Sequence, residues 1–138
     1  IWVGAISDDG YGRFWIRRDG RQRAVRPSRY AHQHVTGRAL PSSVMLLHAC
    51  DVPLCVHVDV DPAVSHLFEG DHRVNMLDRE QKHRGGNQWS ALGWRDISRR
   101  QRVDRSRALR ATLLEYGWDR ARISGALAGA DQNQPRLF

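Results

Sequence analysis

One stretch constrains this chain more than any other: residues 49–65 show no helical or strand periodicity, yet they hold the only two cysteines, Cys50 and Cys55, with His48 and His66 at the borders. A structureless connection of that length inside a small domain needs an internal tie or a function. Two soft thiolates and an imidazole suit a structural Zn²⁺, which takes tetrahedral sulfur and nitrogen ligands and supplies folding energy that a small core lacks. Cys50, Cys55 and His66 account for three positions. The fourth stays open among His34 and His32 of a short upstream helix and His57 within the stretch itself. The plainer alternative is a pair of buried free thiols with His66 packed beside them. Two cysteines so close together do not make the disulfide framework of a small secreted fold, so a reducing cytoplasm fits better.

Around that stretch the chain reads as α+β. Val3 to Ile6, a turn at Ser7–Gly10 and Tyr11 to Ile16 predict two strands; a second turn at Arg17–Gly20 leads to a short third strand around Arg23 to Val25. Pro27-Ser28 opens a helix over Arg29 to Thr36, with Ser28 as cap and Gly37 as stop. Val44 to Leu47 is an apolar run of strand length that delivers His48, and Asp71 caps a helix running through Val74 and Leu77 to about His83, stopped by Gly85-Gly86. Asn87 to Ser98 reads as a linker carrying Trp89 and Trp94. Two helices follow, Arg99 to Tyr116 and another capped by Asp119, joined by a tight turn at Gly117 in the outline of a helix-turn-helix. The expected division is residues 1–86, a linker at 87–98 and a helical extension at 99–138.

The 138 residues contain no apolar run that approaches the roughly 18 needed for a membrane span, so membrane readings are set aside. The chain opens at Ile1 without a methionine, which predicts a missing or trimmed N-terminal piece, and its opening does not resemble a signal peptide.

The net charge of +7 is almost all arginine, since Lys82 is the only lysine. Arginine forks onto phosphate oxygens in two-point geometry and so favours a polyanionic partner, although a GC-rich coding genome also enriches it. The charge is uneven: residues 1–40 carry +5, residues 41–80 carry −5 and residues 81–138 carry +7. Arg99, Arg100, Arg102, Arg105, Arg107 and Arg110 on the first C-terminal helix exceed what solubility requires and predict phosphate contacts. Arg120 and Arg122 on the last helix are candidates to reach a groove, against a helix pair that only packs.

The run LLHACDVPLC, then SHLFEGDHRVNMLDRE and RGG, resembles the HNH, or His-Me finger, endonucleases of the zinc-bound homing type found in phage and actinobacterial genomes. The upstream GYGRFWI and RPSRYAHQHVTGRALP resemble that family's strand and Arg-bearing helix, so the likeness covers about residues 10–86. It implies a β-hairpin and helix around a metal, with His48 as general base, Asn75 holding a catalytic Mg²⁺ or Mn²⁺, and Cys50, Cys55 and His66 as zinc ligands. Val52 stands where the family has Asn, Gly70-Asp71 stands for its Gly-Thr, and residues 58–65 look like an extension that lets His57 compete with His66.

The chemistry suits those residue types. A neutral imidazole takes a proton from water near neutral pH, and an amide oxygen suits a hard cation that relieves phosphoryl charge. Arg13 or Arg29 is expected to brace the phosphate. The sequence therefore predicts a metal-dependent endonuclease of double-stranded DNA, homing-type or site-preferring. A homodimer is the assembly that symmetric cutting of both strands would require. The rivals are a non-catalytic zinc-stabilised DNA-binding module and a non-specific nuclease effector.

Overall fold

The structure is a computed structural model and describes residues 1–81 and 99–132. The expected stop at Gly85-Gly86 and the linker tryptophans Trp89 and Trp94 lie outside the described residues.

The first sheet is a hairpin of β1 (Phe14–Arg18) and β2 (Arg21–Val25), in register from Phe14 opposite Val25 to Arg18 opposite Arg21. Its two-residue turn, Asp19-Gly20, has φ of 52° and 72°. Positive φ at both central positions matches the right-handed twist of paired strands, and Asp-Gly is a residue pair that accepts it. The turn is therefore tighter than Arg17–Gly20, and Arg17 and Arg18 belong to a strand. Val3 to Ile6 is not a strand; only Ile6 bridges to Gly12. Helix α1 (Pro27–Thr36) starts at Pro27, whose fixed φ suits a first helical turn, and ends at Gly37 with φ 69°. Its N-cap is Arg26 without a side-chain cap bond, so Ser28 lies inside the helix and is buried.

The second sheet pairs β3 (Met45–His48) with β4 (Leu67–Gly70), antiparallel, with His48 opposite Leu67. Leu47 and Leu67 of the sheet are buried, together with Leu54 and Cys55 of the loop that joins its strands. Helix α2 (His72–Gln81) begins where the Asp71 carboxylate accepts the Val74 N–H at 2.8 Å, and it lies against both strands. The order β3, loop, β4, α2 thus surrounds the cysteine stretch with regular structure.

Helices α3 (Arg99–Tyr116) and α4 (Arg120–Gln132) pack on each other, with the Asp119 carboxylate accepting the Arg122 N–H at 3.0 Å as the cap of the second. Helix α3 is docked on the N-terminal segment. The guanidinium of Arg99 holds Asp8, Arg102 donates to the Asp9 carbonyl at 2.9 Å, and Arg110 donates to the Val3 carbonyl at 2.8 Å. Gly10, buried at φ 85°, allows that approach; a Cβ there would stand 2.9 Å from Arg102 Cγ. Val103, Ser106 and Leu109 form the buried stripe of α3, whereas Tyr116 is exposed.

Candidate metal centre

Backbone bonds place the chemistry-bearing side chains. Beyond His48, the Ala49 N–H donates to the His66 carbonyl at 2.9 Å, so the β3–β4 ladder continues one step past the strands. Asp51 then takes φ 58° and turns the chain back, and the Cys55 N–H closes a second turn on the Val52 carbonyl at 2.9 Å. The His66 N–H donates to the His57 carbonyl at 3.2 Å and shuts the base of the loop. At its tip the carboxylates of Asp59 and Asp61 accept the N–H groups of Asp61 and Ala63, both at 2.9 Å. Those acids serve the turn, as Asp side chains do in loops.

The result is a compact group. The ligand atoms of His48, Cys50 and Cys55 all lie within 4.8 Å of one another. Sulfur ligands about 2.3 Å from a tetrahedral zinc stand roughly 3.8 Å apart, so the spacing fits one metal ion with small adjustment. His66 adjoins the group, its Nδ1 3.5 Å from Cys55 Sγ. The ring of His57 stands edge-on to that of His66 at 4.6 Å, and its Nε2 lies 3.1 Å from the Val64 carbonyl. The thiols are not joined in a disulfide. A hydrogen bond from the Cys55 thiol, helped by His48 and the Val52 backbone against the cost of burial, pulls Cys50 down to about 4. The same shared proton, with burial, pushes Cys55 up, since losing it would put two negative sulfurs side by side. A divalent cation would do for both sulfurs what the one proton does.

Helix α1 adds nothing to this group. His34 is exposed and stacks parallel on Tyr30 with centroids 6.4 Å apart, and buried His32 places Nε2 3.6 Å from Glu69 Oε1. Neither belongs to the group of ligand atoms that meet at the thiols, where the neighbouring residues are those at the loop's own base. The member that sequence reasoning assigned elsewhere is His48. Its position two residues before Cys50 was the available signal, because a strand-end histidine and the next thiol but one can converge when the chain reverses.

Asn75 is half-buried on α2, the helix that packs on β3 and β4. Arg29 is turned to the backbone, donating to the carbonyls of Val44 at 2.7 Å, Leu40 at 3.0 Å and Pro41 at 2.8 Å, so it holds the approach to β3. Arg13 is exposed and lines a cavity of about 590 Å³ with Trp2, Phe14 and Trp15. On the helices Arg107 and Arg120 are exposed, Arg105 is half-buried, and Arg122 lies 3.9 Å from the Tyr116 ring centroid. One connection was not foreseen: Tyr11 stands edge-on to His48 at 6.0 Å, under Arg26 at 4.4 Å.

Fold and site define an α+β protein with two small antiparallel sheets and a His/Cys group that could hold a metal ion such as zinc. Among the described residues no helix is long and apolar enough to cross a membrane. The chain is 26% identical over 132 residues to Protein 7.7 of Escherichia phage T7, spanning 96% of this chain and 85% of that protein. It is 30% identical over 87 residues to Protein 2.8 of the same phage, spanning 61% of this chain and 52% of that protein. No protein-family model and no solved structure matches it.

Proposed function

We propose that the protein is a zinc-stabilised, metal-dependent DNA endonuclease of the His-Me finger type. The observation that carries the reading is the chain order at the site: β3 ends on His48 beside a thiol pair, β4 returns alongside it, and α2, packed on both strands, carries Asn75. Cys50 and Cys55, with His66 next to them, would hold the structural zinc. A hard divalent cation, Mg²⁺ or Mn²⁺, would be held through the Asn75 amide oxygen and supply charge relief on the phosphoryl oxygens. His48 accepts the proton of the attacking water, a contribution of typically 10²–10⁴-fold. The pairing of His48 with Leu67 in the ladder fixes the backbone from which the ring projects, and Tyr11 limits its movement on one side. The similarity to phage proteins supports work inside an infected bacterial cell.

A specific observation favours a second reading. The ring nitrogen of His48 lies with the two sulfurs, as it would if His48 were itself a zinc ligand. The protein would then be a DNA-binding module without catalysis. Nicking of supercoiled plasmid in Mg²⁺ separates the two: the wild-type chain should nick and His48→Ala should not, while both bind DNA. Absence of nicking by the wild-type chain with every divalent metal supports the binding module. Discrete fragments from a long DNA indicate site preference, and a smear indicates an indiscriminate nuclease.

A further inference from the structure

The sequence located phosphate contacts on α3, but three of its arginines are engaged within the molecule: Arg99 on Asp8, Arg102 on the Asp9 carbonyl and Arg110 on the Val3 carbonyl. Among the described residues the densest set of uncommitted positive charge lies elsewhere. Arg17, Arg18, Arg21 and Arg23 are all exposed on the β1–β2 hairpin, and none makes an ion pair or side-chain hydrogen bond among the described residues. The one acid in this span, Asp19, is held in the turn at φ 52°. Elsewhere arginines near acids are paired, as Arg26 is with Asp9 at 2.7 Å and Arg38 with Glu69.

The register distributes these charges over both faces. Residues directly opposite share a face, so Arg17 lies with Gln22 and Trp15 with Ala24 on one side, while Arg18 with Arg21 and Ile16 with Arg23 occupy the other. Phe14 anchors the inner end of the second face through edge contact with Tyr30 at 5.4 Å and a tilted contact with Trp2 at 5.3 Å. The hairpin is therefore a two-stranded ribbon, about 17 Å long at 3.3 Å per residue, anchored at its Phe14 end and carrying arginines on each face toward the turn. Trp15, 60% exposed, sits at its base.

We infer that the β1–β2 hairpin is the principal DNA-contacting element, entering the major groove of duplex DNA with arginines directed to the phosphates on either side. A two-stranded ribbon fits the B-form major groove, which is about 12 Å wide, and the charge complements a polyanion. The choice of DNA rests on the nuclease reading; the surface itself stands on exposure and charge.

The test is binding of the whole, zinc-loaded chain to a labelled duplex of about 30 base pairs, roughly three helical turns, followed by fluorescence anisotropy in Ca²⁺ across a salt series. The variant Arg17→Gln/Arg18→Gln/Arg21→Gln/Arg23→Gln is expected to bind at least about tenfold more weakly at low salt, and its log K against log salt slope should fall by about 0.9 for each phosphate that is no longer neutralised. Arg100→Gln/Arg107→Gln on α3 should change the slope less. An unchanged slope in the hairpin variant, or a larger drop from the α3 pair, overturns the inference. So does equal or tighter binding to duplex RNA, whose deep, narrow major groove excludes a ribbon. Should the fourfold variant fail to fold, Arg17→Gln and Arg21→Gln alone must each lower the slope, and two unchanged slopes overturn it. Loss of binding in the hairpin variant of a wild-type chain that never nicks DNA would uphold this surface and sink the nuclease reading; an unaffected hairpin variant of a chain that nicks would do the reverse.

Discussion

The two sheets of this protein are alike in strand number and direction and opposite in how they are held. β1 and β2 are joined by two residues whose backbone angles suit a hairpin, and none of their side chains is buried. β3 and β4 are joined by residues 49–66, and Leu47, Leu54, Cys55 and Leu67 are buried around that connection. A short turn sets register by local geometry and leaves its faces available for contact. A long loop closes at an entropic cost, offset here by burial and by the His/Cys group. The proposed polyanion contact and the His/Cys group thus fall on different sheets, and substitutions should separate them.

The largest effect is expected at Cys55. Cys55→Ser removes one thiol of the His/Cys group at a position 2% exposed; if the group holds zinc as proposed, the metal should be lost and the thermal transition should broaden, since structural zinc contributes on the order of 10 kcal/mol. Elemental analysis and a melt in the presence of zinc check this, and a folded, zinc-bound variant would break the contrast between the sheets. Leu54→Ala, at a position 1% exposed in the same loop, should cost about 2–5 kcal/mol by urea denaturation, whereas Arg17→Gln on the hairpin should stay within about 0.5 kcal/mol.

Arg29→Met tests the link between α1 and β3. It removes donors to three carbonyls, those of Leu40, Pro41 and Val44, and should lower stability by about 1–3 kcal/mol, read as a shift of the urea midpoint with unchanged slope.

The smallest effect concerns Asp9. Burial opposes its charge, but hydrogen bonds from the Ser7 hydroxyl and Tyr11 N–H, with the Arg26 guanidinium, outweigh burial and hold its carboxyl below the ordinary 3.8. A depressed carboxylate stabilises the fold above its unfolded pKa, and that contribution is lost as pH falls through the lower folded value. Asp9→Asn should therefore cost about 1 kcal/mol at neutral pH, with the gap to wild type constant down to about pH 4 and closing below it.

The helical half of the chain was legible because its signals are local. Asp71 and Asp119 accept the N–H groups expected of caps, Gly37 ends α1, and α3 has the expected bounds, Arg99–Tyr116. The strands were less so. β4, Leu67–Gly70, has four residues without alternation, and it is a strand because β3 lies beside it. At the site, Cys50 and Cys55 were legible from residue type, whereas the place of His48 beside them depends on the reversal at Asp51, whose φ of 58° no pattern announces. The engagement of Arg99, Arg102 and Arg110 with residues 3–9 was also hidden, because contacts so distant in sequence leave no spacing to read.

The measurement that bears most directly on the catalytic reading is the zinc content of His48→Ala. One zinc retained per chain, with DNA nicking abolished, is the result that the proposed division of roles predicts, in which the cysteines and neighbouring His66 would hold the structural metal and His48 would handle a proton. Zinc released together with loss of the folded β3–β4 region would make His48 a ligand and contradict its role as the base.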